Sequence, residues 1–356
     1  MERRVPSRQT SSWGDRRNQM SMGTAIRLLS GPMGRRLFRP IMRNRATIFM
    51  LHRVAAPEQD VHGHTLEQVR NIILALARSG ARFVSLRDML ERWRAGETID
   101  PDCVAFTMDD GFADQALLAR QVFLPLRCPV TIFLISGFLD GELWPWDDQL
   151  AYAFANTTKE RADVVLGGQS FALRLDSPSA RRAALHRVRE HCKQIDNSNL
   201  YALVRTIAAT LGVRLPSRPP AQHQPMTWEE ARALEADGVE FGPHSISHRI
   251  FSRLPVEQSR VEINGSWARL QHELRHPSPV FAWPTGRHTD YTEKDVELAR
   301  AAGMIGCVAT DDDYAYAPRG REDALFGVRR FALPEDEVTA LRYGSWLERA
   351  RQFLPV

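Results

Sequence analysis

The chain has 356 residues, 43% of them apolar and 25% charged, which suits one large globular domain or two ordinary ones. That balance excludes a disordered chain and a disulfide-stapled mini-fold. The longest unbroken apolar runs, 72–77 and 150–155, are far short of the ~18 residues of a membrane span.

The charge is unevenly placed. Residues 1–45 hold eleven Arg against Glu2 and Asp15, a net +9. With the whole chain at +4, residues 46–356 stand at −5. The basic balance therefore belongs to the N-terminal tail, and a nucleic-acid-binding body is not expected. The tail lacks the 7–15-residue apolar block of a secretory signal. Ile26, Leu29, Met33, Leu37 and Ile41 recur in it at three-to-four spacing among Arg residues. Three readings stand: a disordered leader, a basic amphipathic helix touching an anionic membrane, or an organellar presequence. Without an export signal, the cytoplasm or its membrane face is the expected location. The four cysteines form no Cys-x-x-Cys pair, so neither a thiolate zinc site nor a disulfide framework is expected.

In chain order, 47–52 reads as a buried strand. A helix follows over 66–78, with Val69, Ile72, Ile73 and Leu76 on one face. A short strand at 82–85 and a short helix at 87–94 come next. Strand 103–108 runs into Asp109-Asp110-Gly111, followed by a helix over 113–123 and a strand over 129–135. Residues 143–222 break the rhythm and read as a mostly helical, Arg-rich insertion that ends in a Pro-rich stretch. Trp144 and Trp146 beside Asp147-Asp148 could stack a sugar, although packing is the commoner role of such Trp. Thr227-Trp228-Glu229-Glu230 forms a capping box. Strand 239–242, helix 256–274, strand 280–283, helix 292–302, strands 304–309 and 327–331, and a final helix near 336–352 follow. About eight strands alternating with helices predict a parallel sheet, open or closed into a barrel.

In a barrel of this kind, chemistry sits at the C-terminal ends of strands. Four polar groups occupy such places: His52, Asp109 with Asp110, His244 with His248, and the run from Trp283 and Pro284 to Gly286. Adjacent carboxylates are costly to hold as two anions unless a cation neutralises them. Two His four apart share a face and commonly ligate a divalent metal. One Asp and two His make a three-ligand site with room for water and substrate, leaving the second Asp as a base.

Phe106-Thr107-Met108-Asp109-Asp110-Gly111 resembles the Thr-Phe-Asp-Asp-Gly motif of the polysaccharide deacetylases, the NodB-homology or carbohydrate esterase family four. His244-Ser245-Ile246-Ser247-His248 is similar to that family's His-Ser/Thr-x-x-His. Met50-Leu51-His52-Arg53-Val54 and Phe281-Ala282-Trp283-Pro284-Thr285-Gly286 resemble the Met-Tyr-His-Arg-Val start and the Phe-Ala-Tyr-Pro-x-Gly of one subgroup. The resemblance covers roughly residues 46–333. It implies a distorted (β/α) barrel of about seven strands with the insertion 143–222. It further implies a metal-dependent hydrolase that removes N-acetyl groups from an N-acetylhexosamine glycan or a lipid-linked sugar. By the same resemblance Asp109 is the general base, and Asp110, His244 and His248 hold a divalent ion, usually zinc.

Two departures follow. The family's Arg two positions before Pro284 is replaced by Ala282, and its late Leu-x-His general acid is not evident. His52 is the first candidate for the missing acid, with His288 the second. Trp283, Pro284 and Arg330 are assigned to substrate, with pairing to Asp311 or Asp312 the alternative for Arg330. Other readings of the chain are a deformylase or related amide hydrolase on a lipid-linked amino sugar, and a non-catalytic carbohydrate-binding homologue.

Overall fold

A computed structural model describes residues 22–59, 61–316 and 320–352. The first part of the tail reading, residues 1–21, lies outside that range.

Residues 22–29 are helical, and α1 (Pro32–Phe38) follows after a turn. β1 (Arg45–Leu51) opens the sheet. It pairs in parallel with β3 (Cys103–Met108), which pairs with β4 (Thr131–Leu134), which pairs with β7 (Glu240–Pro243). β2 (Arg82–Phe83) adds to the N-terminal end of β3, and β11 (Phe331–Ala332) pairs with β1 on its other side. β10 (Ala315–Tyr316) is antiparallel to the start of β1. A separate parallel pair, β8 (Val280–Ala282) and β9 (Gly306–Val308), completes the curl. Ser278 N–H bonds to Phe241 O at 2.7 Å beside β7, and Val308 bridges Val328 just before β11. The seven strands β1, β3, β4, β7, β8, β9 and β11 thus form a distorted (β/α) barrel, as the resemblance implies.

The strands alternate between two cores, as a period-2 side-chain pattern requires. Val104, Phe106 and Met108 face the outer helical layer, with α2 (Leu66–Arg78) packed over them. Ala46, Ile48, Cys103, Ala105 and Phe133 belong to the inner core with Phe281 and Cys307. On β3 the inward parity runs Cys103, Ala105, Thr107, Asp109, so it delivers Asp109 to the barrel mouth. All four cysteines are buried and free; burial pushes the Cys103 thiol up to about 11.

Residues 143–222 have their own core and are not only helical. α5 (Trp146–Asn156) leads into an antiparallel hairpin, β5 (Arg161–Leu166) with β6 (Gln169–Arg174), before α6 (Pro178–Cys192) and α7 (Leu200–Thr210). The hairpin turns at Gly167-Gly168, where φ is +54° and +82°, a signal the helical reading passed over.

Residues 22–44 also differ from the disordered-leader reading of the tail. Ile26, Phe38 and Ile41 pack on the main core, and Phe38 stacks on Trp346 with ring centres 3.8 Å apart. Arg35 is buried, donating to Ser30 O, Ser79 Oγ and Gly344 O and pairing with Asp102 at 3.2 Å. Residues 22–44 are therefore part of the globular body. The predicted last helix is two, α11 (Glu337–Tyr343) and α12 (Trp346–Arg351), parted at Gly344, whose carbonyl Arg35 takes. No helix among the described residues is long and apolar enough to cross a membrane.

Candidate metal and catalytic centre

Asp109 and Asp110 leave the end of β3, His244 leaves the end of β7, and the backbone joins them. Asp109 N–H bonds to Leu51 O, Ile135 N–H to Asp110 O, and His244 N–H to Leu134 O. Three residues of these loops have left-handed backbone: Asp110 at φ +85°, Ser245 at +66° and His248 at +55°. Such conformations cost free energy in non-glycine residues and persist where surrounding contacts over-determine them.

Those contacts are visible. Glu262 of α9 (Val256–Glu273), buried, accepts from the N–H groups of Ile246 and Ser247 at 2.9 Å and from Ser247 Oγ, and it pairs with Arg249 at 2.6 Å. From the insertion, Trp146 Nε1 donates to His248 O and Tyr201 Oη donates to Ser247 O, both at 2.9 Å. The His-x-x-x-His loop is thus gripped from both sides.

Asp110 Oδ1 lies 3.5 Å from His244 Nε2 and 3.5 Å from His248 Nε2. All three residues are buried, their ligand atoms lie within 4.8 Å of one another, and Asp110 Oδ1 has no hydrogen-bond partner. The separation matches the ~3.4 Å edge of a tetrahedron built on the ~2.0–2.1 Å bonds of zinc to N and O donors. His244 Nδ1 faces Ala282 O at 2.7 Å, which fixes the ring so that Nε2 points inward. His248 Nδ1 is 3.9 Å from Asp147 Oδ1 at the start of α5. Burial alone would raise the Asp110 carboxyl, but the two histidines hold it well below the usual range. The residues present fit a divalent ion.

Asp109 is held differently. Burial would raise its carboxyl, but Arg330 outweighs that and keeps it lowered. Nη1 and Nη2 of Arg330 donate to the two carboxylate oxygens at 2.7 Å each, a bidentate pair. Arg330 also donates to Thr107 Oγ1 and Ala309 O and has 0% exposure. This corrects the assignment of Arg330 to substrate, and its alternative partners Asp311 and Asp312. It also accounts for Ala282: the cation missing from the end of β8 reaches Asp109 from beside β11.

Trp283 is corrected too. It is fully buried, donates Nε1–H to Phe326 O at 2.9 Å and stacks on Tyr291, so no face is left for a sugar. Pro284 is likewise buried. Trp144 and Trp146 are buried as well, so packing is their role. His288 is exposed and pairs with Asp311 at 3.0 Å. His52 is 45% exposed, with Nε2 3.8 Å from Asp109 Oδ2. Sequence reading missed the half-buried His223–Asp148 pair, 3.2 Å apart, on the insertion side of the centre. It also missed Glu262. Neither carries a local motif; Glu262 is marked only by its burial, and the Asp148–His223 pair only by its position.

A (β/α) barrel with an Asp-His-His cluster and a separately clamped carboxylate at its C-terminal rim has the donor set that metal-assisted hydrolases use. Residues 198–304 match the polysaccharide deacetylase family model, a span that includes His244 and His248. Deacetylase PplD of Streptococcus pyogenes, in complex with acetate, superposes with TM-score 0.55 at 14% identity, covering 85% of this chain and 98% of that one. IcaB from Ammonifex degensii gives 0.53 at 16%, covering 85% and 97%. BC0361, a polysaccharide deacetylase from Bacillus cereus, gives 0.51 at 12%, covering 85% and 69%. No curated protein matches significantly. Residues 198–304 thus match the polysaccharide deacetylases in sequence, and the chain shares the fold of the solved deacetylase structures superposed on it.

Proposed function

We propose that this protein removes N-acetyl groups from an N-acetylhexosamine-containing glycan, with a divalent ion, zinc by the chemistry of its donors, held by Asp110, His244 and His248. The observation that carries the reading is the division of labour between the two adjacent carboxylates. Asp110 presents an unbonded oxygen to two imidazoles, and Asp109 is locked by Arg330. A pure carbohydrate binder has no use for such a pair.

A divalent ion at this position supplies Lewis acidity toward an acetyl carbonyl and acidifies water. Asp109, kept anionic by Arg330, takes the proton of the attacking water. Water oxygen bonds to the carbonyl carbon, and the carbon–nitrogen bond then breaks. The leaving amine requires a proton, and His52 supplies it: its Nε2 stands 3.8 Å from Asp109 Oδ2, on the solvent side of the site. Acetate and the free amino sugar leave. Arg330 performs the orienting role that Ala282 cannot, which weighs against the non-catalytic reading.

Acetate release from a panel of N-acetylated and O-acetylated oligosaccharides, with and without a chelator, tests this. Chelator-sensitive release from the N-acetylated members is expected. Release that is indifferent to chelation, or confined to formamides or O-acetyl esters, would refute it.

A further inference from the structure

Five large apolar side chains between 22 and 37 stand in solvent: Met22, Leu28, Leu29, Met33 and Leu37. Leu28, Met33 and Leu37 are 77%, 85% and 70% exposed. They are not on a floppy arm. Buried Arg35, the Phe38–Trp346 stack and the packing of Ile26 and Ile41 hold the backbone rigidly beneath them. The periodic stripe of the sequence is thus divided: Ile26 and Ile41 anchor inward, while Leu29, Met33 and Leu37 face out.

The surroundings are basic. No acidic residue occurs between Asp15 and Glu58, and Arg27, Arg36, Arg39 and Arg43 are exposed. Beside α1, a groove of about 690 Å³ is lined by Arg39, Arg43, Arg82 and Arg92 against Asp100.

We propose that this face docks on an anionic lipid bilayer, with Leu28, Met33 and Leu37 entering the interface and the arginines meeting lipid phosphates. Exposed apolar side chains on a net-basic segment suit that surface: Arg27 and Arg39 pair with Glu337, Asp100 and Asp102, while the segment itself holds no acid to offset Arg36 and Arg43. A second copy suits it less, because a two-fold contact would bring two net-positive patches together. The face lies where Arg39 pairs with Asp100 and Asp102, at the N-terminal ends of β1 and β3. Asp109 and Asp110 lie at the opposite ends of the strands. Docked this way, the protein directs its catalytic rim away from the bilayer, toward a glycan extended into solvent rather than a sugar at the lipid headgroup. This last point rests on the deacetylase reading; the docking does not.

Flotation of the full chain with phosphatidylcholine vesicles, and with vesicles that also contain phosphatidylglycerol, tests the proposal. Binding to the mixed vesicles is expected to exceed binding to neutral ones roughly tenfold at low salt and to fall at high salt. The variant Leu28→Ser/Met33→Ser/Leu37→Ser should lose roughly tenfold in binding while unfolding at an unchanged temperature. Arg36→Gln/Arg43→Gln should lose the preference for anionic lipid. Failure of the wild type to float with mixed vesicles would overturn the proposal. So would flotation of the triple variant equal to wild type, or self-association that the triple variant abolishes.

Discussion

At the level of single residues, the Asp109–Arg330 pair decides how this centre works. Both partners are buried, so neither can be removed alone without stranding a charge. Arg330→Met is expected to destabilise the fold by about 3–5 kcal/mol, read by denaturant unfolding. Arg330→Lys should fold better but lose the bidentate geometry, and with it turnover. Wild-type stability in Arg330→Met would show that the pair contributes nothing. His52 carries a different test. As the proton donor, His52→Ala should slow amide cleavage strongly and cleavage of an activated aryl acetate only weakly, since a phenolate leaves without protonation. Equal losses on both substrates would make His52 a binding or structural group. The residues of the centre were legible in the sequence in proportion to their local patterning. Asp109, Asp110, His244 and His248 stand at strand ends within short motifs. Arg330 is 221 positions from its partner, and no periodicity links the two.

Among the elements, the insertion has a role in the site that its sequence does not announce. α5 begins with Trp146 and Asp147, and these face the His248 backbone and ring. A carboxylate behind a ligating imidazole orients the ring and raises its basicity. Asp147→Ala is therefore expected to weaken zinc binding ~10–100-fold, measured by chelator competition, with little change in stability. An unchanged affinity would mean that the 3.9 Å gap carries no coupling. The alternation of strand and helix was readable because each buried strand is a short apolar run bounded by turn residues. Strand lengths were less readable. The predicted strand at 327–331 is only Phe331–Ala332: Gly327 ends a short helix, Glu322–Gly327, and Val328 makes an isolated bridge to Val308. The β5–β6 hairpin is hard to read because it is short and lies between helical runs of the insertion, with Gly167-Gly168 its one local signal.

Over the whole molecule, the barrel is closed below by the N-terminal helices and overhung at its mouth by the insertion. The tail was read as separate because its charge contrasts so strongly with the body, but charge says nothing about packing. Arg35 joins residues distant in the chain: Ser79, Asp102 and Gly344. Arg35→Met is expected to cost about 3 kcal/mol and to lower the unfolding temperature. An unaffected midpoint would return the segment to the status of a loose leader.

The central claim is that Asp110, His244 and His248 hold one catalytic divalent ion while Asp109 does not. Calorimetric titration of zinc into the metal-free protein tests it most directly, on wild type, His244→Ala and Asp109→Asn. One site is expected in the wild type, none of comparable affinity in His244→Ala, and an intact site in Asp109→Asn, which should nonetheless lose roughly two to four orders of magnitude in turnover. Full-affinity binding in His244→Ala, or loss of the site in Asp109→Asn, would contradict the account.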